Sequence, residues 1–410
     1  MESYIVRQAI VDERQNAFGY EILYTDNRFN SDELDESTAA NAVENFLSSM
    51  DSEKFLSGKT ALLTFTPNLL EKEIPKMFSV NKLIIQIEDS LITNPLASTF
   101  IRKYRTMGYK FAIVDFEFAP RFFGILDIVD YIKVNFKNYF TAAASIENII
   151  KIGTSFGKQV IGYNIESQEA YEKAKQYGCV FYQGAFVSEK LPTTIKKIDY
   201  LQSNFFLLMV AVTKDEPDVD EIEKLISRDV SLTFSLLKLV NSAYFALRNR
   251  ARSVKQALVI LGLGQLKHWI YLLSFKQDDG SMPDELIKVS FLRATFAGEL
   301  SEYVHNLMMS KSEAYLMGMF STLGKLMQLP LEEVLGQLPI SDEIKDALLS
   351  QKGKAGLLYR LVLSYERADW KAISEIATDL DIPQSQIAHK YFECVESVNT
   401  IWDGLTSPQE

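Results

Sequence analysis

Eight short runs of strand-forming residues recur through the first two hundred positions, most of them separated by stretches with helical spacing, and this alternation restricts the fold more than any other feature. The runs are YIVRQAIV from Tyr4, FGYEILYT from Phe18, ALLTFT from Ala61, LIIQIE from Leu83, FAIVDF from Phe111, YIKVNF from Tyr131, QVIGYNI from Gln159 and FYQGAF from Phe181. Helical spacing between them is clearest over residues 37–50, 95–107, 141–156 and 168–177. Phe111 to Val114 is continuously apolar, as expected of a strand covered on both faces in a parallel sheet. Eight strands with intervening helices predict a (β/α) barrel of the TIM type. DERQNA, between the first two runs, has no room for a helix, so that pair is expected to be antiparallel and the barrel irregular.

Beyond Pro192 the pattern becomes helical throughout. Helices are expected over 200–213, 219–227, 231–241, 253–261, 265–275, 284–306, 311–328, 331–337, 342–349, 354–366, 368–379 and 383–399, with Asp218, Ser253 and Ser341 as N-cap candidates and a loop at 276–283. The fold class is therefore α/β plus all-α: a barrel domain over 1–199, a helical domain over 200–395 and a tail over 396–410. The length of 410 residues suits two domains, since single cores stop growing near roughly 250–300 residues.

Charge and cysteine content narrow the function. With 43 basic against 54 acidic residues and a net charge of -11, non-specific binding to nucleic acid or anionic membrane is disfavoured. Cys179 and Cys394 form no CxxC pair, so neither a disulfide framework nor a thiolate zinc site is indicated. The start, MESYIVRQAI, lacks a signal-peptide pattern, and the apolar run Phe205 to Val212 is far short of the ~20 residues a spanning helix needs. A cytoplasmic location is expected. Residues 31–37 read as a solvated loop, and Phe122, Phe123, Phe205 and Phe206 as buried helix faces. Gly262 and Gly264 lack the lysine-serine pair and strand-loop-helix setting of a phosphate loop.

Polar residues stand at or near the ends of the expected strands: Glu21, Thr64, Gln86 with Glu88 and Asp89, Asp115, Lys133, Tyr163 with Glu166, and Gln183. Barrels of parallel strands place their chemistry at the carboxyl ends. Carboxylates, amides and a lysine converging there could hold a divalent cation and orient a phosphate. Strand ends also carry polar residues for solvation alone, and the residue types leave both readings open.

In their order, these segments resemble the EAL-type cyclic diguanylate phosphodiesterases across nearly all of residues 1–200. FGYEILYT is similar to the segment around the Glu-Ala-Leu signature, with Glu21 at the metal-binding glutamate. LIIQIEDS resembles the family's Glu-Leu-Thr-Glu strand, AIVDFE its paired-aspartate strand, YIKVNF its lysine strand, VIGYNIES its Glu-Gly-Val-Glu segment and CVFYQGAFVSEKLP its Gln-Gly motif. Glu21, Asp115, Lys133, Glu166 and Gln183 keep the family's residue type and become ligand-binding candidates. Thr64, Gln86, Val114 and Tyr163 replace a metal-binding asparagine, a metal-binding glutamate, the first aspartate of the pair and the first glutamate of Glu-Gly-Val-Glu, and Thr25 stands where a substrate-contacting arginine is usual. Paired divalent ions need bridging carboxylates to offset their repulsion. No bound metal, no cofactor and no hydrolysis of cyclic diguanylate are therefore expected of the barrel.

Residues 200–390 resemble the HDOD domain, a helical relative of the HD phosphohydrolases, through the Leu225 to Ile270 stretch with Val240–Ser242 and Leu261–Gly262, and through Ala314 to Met327. Ser321 and Thr322 stand where catalytic HD enzymes carry adjacent His and Asp ligands, and His268, His305 and His389 are each followed by a residue other than Asp. Two hydroxyls do not replace imidazole and carboxylate as metal ligands. The resemblance implies a signalling protein, often linked to cyclic diguanylate, motility or biofilm formation, that works by binding ligand or protein partners and forms homodimers. Two other implications remain open: a receptor that binds the cyclic dinucleotide intact, and a residual metal-dependent phosphodiesterase using Glu21, Asp115 and Lys133.

Overall fold

A computed structural model describes residues 3–26, 52–88, 91, 95–116, 124–137, 139–189, 205–228, 230–242, 245, 250–275, 284–327, 329–336, 338 and 340–406. Two compact units divide the chain: Met1–Thr193 with Ser364–Ile373, and Thr194–Leu363 with Ser374–Glu410. The expected helix over 37–50, the acidic stretch 31–37, Asp89, Phe122, Phe123 and the loop 276–283 lie outside the described residues.

In the first unit, eight strands close a barrel in sequence order: β1 (Ser3–Val11), β2 (Ala17–Asp26), β3 (Thr60–Thr64), β4 (Leu83–Ile87), β5 (Lys110–Val114), β6 (Tyr131–Asn135), β7 (Gln159–Tyr163) and β8 (Phe181–Tyr182). β1 runs antiparallel to both β2 and β8, and every other neighbouring pair is parallel. The tight connection Asp12–Asn16 explains the reversal: Asp12 accepts from Arg14 N at 2.8 Å and Asn16 N at 2.9 Å, which closes the turn with a side chain.

Side chains alternate across a strand, so the barrel interior is built in layers. Ile10, Leu62, Ile84, Ala112, Tyr131 and Ile161 form one buried layer, closed by Phe18 and Phe181, whose rings stack at 4.1 Å. Two residues further along β3 to β7 come Thr64, Gln86, Val114, Lys133 and Tyr163. Period-two geometry turns this second set to the same interior, one layer nearer the carboxyl ends.

Two strands end earlier than their apolar patterns suggest. FAIVDF leaves the strand at Asp115, where φ is 51°, in the left-handed region. FYQGAF keeps only Phe181–Tyr182 as strand, and Ala185–Ser188 turns into a short helix after Gly184, at φ 146° and ψ 170°. That conformation is nearly exclusive to glycine. It also lets the backbone approach Ile165, whose carbonyl oxygen would lie 2.3 Å from an added Cβ.

Residues 364–373 pack with the barrel unit. Tyr365 donates to the Ile5 carbonyl at 3.2 Å, and Gln8 donates to the Glu366 carbonyl at 2.9 Å.

The second unit is helical. The expected helices over 253–261 and 265–275 form a continuous run, Val254–Phe275, broken at Gly262 by φ 73° and ψ 155°. The expected helix 311–328 divides into Lys311–Phe320 and Leu323–Met327 around Ser321 and Thr322. The last helix, Gln384–Thr406, runs past residue 399 because buried Val395, Val398 and Trp402 continue its apolar stripe at helical spacing. Much of the stretch read as a tail is thus helix. Asp218 and Ser253 cap as expected, accepting from Asp220 N at 2.9 Å and Gln256 N at 3.2 Å, whereas Ser341 has cap backbone geometry without a side-chain cap bond. Asn241, from the family-typical triplet, donates to the carbonyls of Leu237 and Ala251 and accepts from Ala251 N at 2.7 Å. It thereby ties its helix to the segment before Val254. Among the described residues, no helix is long and apolar enough to cross a membrane, and Cys179 and Cys394 are free and buried.

Substituting Gly184 by Ala is expected to cost about 2–3 kcal/mol, combining a disfavoured backbone conformation with a clash against Ile165. Urea unfolding would measure it, and an unchanged midpoint would show that the turn relaxes without cost.

Candidate functional site

One carboxylate organises the upper layer of the barrel. Glu21 projects from β2 into the interior and is 5% exposed. Its Oε1 accepts from Lys133 Nζ at 2.6 Å and from Gln86 Nε2 at 2.7 Å, and its Oε2 accepts from Gln183 Nε2 at 2.5 Å. Gln86 also donates to Thr64 Oγ1 at 3.2 Å, and Gln183 to Gln8 Oε1 at 3.0 Å. Five residues singled out in the sequence, Glu21, Thr64, Gln86, Lys133 and Gln183, therefore meet in one network.

Burial alone would raise the Glu21 pKa. The Lys133 ammonium, together with the donors on Gln86, Lys133 and Gln183, outweighs that effect and holds it below the usual carboxylate range. Lys133 is itself 1% exposed, so this is a buried ion pair whose desolvation is offset by good geometry and extra hydrogen bonds.

A second group lies beside the first. Tyr163 donates to Asp115 Oδ1 at 2.6 Å and accepts from Asn135 Nδ2 at 3.1 Å. Burial, then the hydrogen bond and charge of Asp115, push the tyrosine hydroxyl well above its ordinary pKa, so it remains a donor. Lys133 Nζ sits 4.8 Å from the centre of the Tyr163 ring, which joins the two groups through a cation–π contact. Asp115 and Asn164 both hold left-handed backbone, at φ 51° and 55°, just where β5 and β7 end. Such strain concentrates at functional rims. The Glu88 carboxyl is pushed up by partial burial, then by the charges of Asp115 and Glu21.

Val114 lies beside Lys133 in the β5–β6 register and contributes only an apolar side chain. Glu166 is exposed on the turn after β7, and no hydrogen bond among the described residues joins it to either group. The Thr25 side chain lies outside the described residues. Gln8 and Asn135 escaped the sequence reading. Gln8 was accessible in principle, since an antiparallel β1–β2 pair with Asp12–Asn16 as its turn sets Gln8 directly opposite Glu21. Asn135 carried no such signal, because its partner is defined by a residue that departs from the resembled motif.

In the helical unit, Thr322 is fully buried, with its hydroxyl against those of Ser290 and, at 3.4 Å, Tyr271. Ser321 donates to the Gly318 carbonyl at 2.7 Å and accepts from Arg293 Nη1 at 3.3 Å. Gly318 allows this neighbourhood, because its Cα passes so close to the Arg293 backbone that a Cβ would lie 2.3 Å from the carbonyl oxygen. His268 Nδ1 lies 2.8 Å from the Gly264 carbonyl, an acceptor, so the proton resides on Nδ1. Burial pushes its pKa down to about 4, leaving a neutral ring edge-on to Phe291. Among the described residues, no three His, Cys, Asp or Glu side chains converge.

Replacing Lys133 by Met would leave Glu21 buried without a counter-charge, with an expected loss of about 3–5 kcal/mol at pH 7 by urea unfolding. A Glu21→Gln, Lys133→Met double variant should recover most of it. Since the folded-state pKa of Glu21 is depressed, its stabilisation is present above the ordinary carboxylate range and is lost as pH falls through the lower folded-state value. Lys133→Met should remove that acid-side loss.

Comparison with known proteins identifies a domain in each half of the chain. The family model described as the EAL domain matches residues 56–190, and the one described as the HDOD domain matches residues 200–336. The protein YuxH of Bacillus subtilis is 28% identical over 98% of this chain and 100% of its own length. Cyclic di-GMP phosphodiesterase CdgJ of Vibrio cholerae is 24% identical over 95% of this chain and 91% of its own length. Among solved structures, the PaMucR phosphodiesterase in complex with c-di-GMP is 14% identical, covering 47% of this chain and 98% of that one, with a TM-score of 0.40. Klebsiella pneumoniae BlrP1 with calcium and c-di-GMP is 18% identical, covering 45% of this chain and 55% of that one, with a TM-score of 0.37. With an EAL domain followed by an HDOD domain, the chain is an EAL–HDOD protein.

Proposed function

We propose that this protein acts in cyclic diguanylate signalling through binding, and that its barrel does not hydrolyse the nucleotide. The observation that carries the proposal is the state of Glu21. Both of its oxygens are taken by nitrogen donors, and one donor is the buried ammonium of Lys133, 2.6 Å away. A divalent cation about 4 Å from that ammonium would meet roughly 8 kcal/mol of repulsion at an effective dielectric of 20. Offsetting this needs further carboxylates in the layer, where Val114, Gln86 and Thr64 supply no charge. The residues present therefore do not fit a pair of divalent ions, and no catalytic step is derived through one.

The same rim retains groups suited to holding a nucleotide without cleaving it. Asp115, Tyr163 and Asn135 form a pre-organised set of acceptors and donors beside Lys133, and exposed Glu166 stands on the adjoining turn. In this reading the barrel binds a ligand or protein, and the HDOD domain docks other signalling proteins with an output in motility or surface attachment.

Similarity to a cyclic di-GMP phosphodiesterase over 91% of that protein's length favours a second reading, a residual metal-dependent phosphodiesterase. Calorimetric titration of cyclic diguanylate into the full-length protein with Mg²⁺ or Ca²⁺, followed by chromatography of the recovered nucleotide, separates the two. Heat with intact nucleotide is expected of a receptor, and neither heat nor cleavage of a protein-docking module. Turnover at ordinary enzyme rates would overturn the inactive reading, and its loss in Glu21→Gln would assign the residual activity to this layer.

A further inference from the structure

Ser364–Ile373 lies outside both family matches, which cover 56–190 and 200–336, yet it packs with the barrel unit. β8 has two residues and pairs with β1 at one position, Val11 with Tyr182, so among the described residues no strand covers the first half of that β1 edge. Tyr365 fills part of the gap. Its ring is fully buried and meets Trp370 edge-on at 6.4 Å, and its hydroxyl donates to the Ile5 carbonyl at 3.2 Å. The Glu366 carbonyl is among the last four of helix Gly353–Glu366, which find no N–H within their own helix, and it accepts from Gln8 Nε2 at 2.9 Å.

Gln8 stands opposite Glu21 in the β1–β2 register. Its Oε1 accepts from Gln183 Nε2 at 3.0 Å, and that same nitrogen donates to Glu21 Oε2 at 2.5 Å. A chain of bonds therefore runs from the Glu366 carbonyl through Gln8 and Gln183 to the carboxylate of the barrel site. A carbonyl only accepts, so Glu366 fixes which end of the Gln8 carboxamide faces it. Turned over, Gln8 would set two acceptors together at Glu366 and two donors together at Gln183. The arrangement leaves one group unsatisfied: Gln183 is 3% exposed, and its Oε1 is buried without a partner among the described residues. Such a group is costly and calls for an explanation. Withdrawal of Glu366 supplies one. Gln8 is then free to turn its Nε2 toward Gln183, and Gln183 to turn over and accept through Oε1. The same turn takes the Gln183 donor away from Glu21 Oε2.

We propose that Ser364–Ile373 is a latch on the barrel site. Docked on β1, it keeps both oxygens of Glu21 occupied; released, it leaves Oε2 open to a donor or cation brought by a ligand. The inference rests on the reading that the occupied state of Glu21 keeps the barrel from cleaving nucleotide, and it names the element that sets that state. Coupling of this kind is reciprocal, so a change at the Glu21 end of the chain loosens the segment at the other.

Hydrogen exchange of the full-length protein, followed by mass spectrometry, tests the latch. Gln183→Met breaks the chain without touching Glu366 and is expected to speed exchange of the amides in Ser364–Ile373 about tenfold relative to those of β6 in the same sample. Gln86→Met removes a donor from the other oxygen of Glu21 and should leave that ratio unchanged. Gln8→Met releases the segment directly, so adding Gln183→Met to it should speed exchange no further. If Gln183→Met fails to fold, Gln8→Met still decides the matter through Glu21. With Gln183 free to turn over, Glu21 loses a donor that lowers its pKa, so the acid-side loss of stability in urea unfolding should be smaller and complete at higher pH. Unchanged exchange of the segment in Gln183→Met, an equal rise in Gln86→Met, additive effects of Gln8→Met and Gln183→Met, or a wild-type acid limb in Gln8→Met would each overturn the proposal. No nucleotide enters these measurements, so their outcome is separate from that of the titration that decides whether the barrel binds or cleaves one.

Discussion

The barrel depends on a charge that it neutralises from within. Glu21 is enclosed by β-strands whose lower layer carries no charged side chain, and an isolated carboxylate there would be driven to protonate. Lys133 prevents this, and it can do so because β6 carries it into the same layer as Glu21. The two carboxamides extend the effect. Gln86 and Gln183 approach from β4 and the end of β8, so nitrogen donors reach Glu21 from three directions and both of its oxygens are used. A layer of this kind is satisfied by residues the chain supplies itself, and it resists rearrangement because removing any one member leaves a buried polar group exposed to a low dielectric.

Backbone and network also depend on each other. Gln183 reaches Glu21 because Gly184 turns the chain sharply into a short helix packed on Ile165. Asp115 meets the Tyr163 hydroxyl because it leaves β5 in a left-handed conformation, with its own N–H bonded to the Lys133 carbonyl at 3.2 Å. The strained positions of the rim are those that aim its polar side chains. In the helical unit, hydroxyl side chains between two helices are likewise held by their neighbours. Thr322 is buried against the hydroxyls of Ser290 and Tyr271, and part-buried Ser321 bonds Gly318 and Arg293, contacts that serve packing and helix termination.

Much of this was legible in the sequence. The count of strands, the antiparallel first pair and the wholly helical second half follow from the period of the apolar residues and from a connection too short for a helix. The residues of the upper layer could be named because each stands at the end of an apolar run. What the pattern missed was set by contacts between distant segments. Asn135 gains its role only through Tyr163, and the final helix runs on to Thr406 because Val398 and Trp402 find a core to enter. Ser341, read as an ordinary cap, makes no cap bond.

The sequence by itself determined which residues would line the barrel mouth, since side-chain alternation along a strand is a local property of the backbone. Only the tertiary structure decided what those residues do there. Glu21 and Lys133 are 112 positions apart, and nothing local distinguishes a carboxylate left open for a cation from one already held by an ammonium. That distinction rests on distance and dielectric, which exist only once the strands have closed.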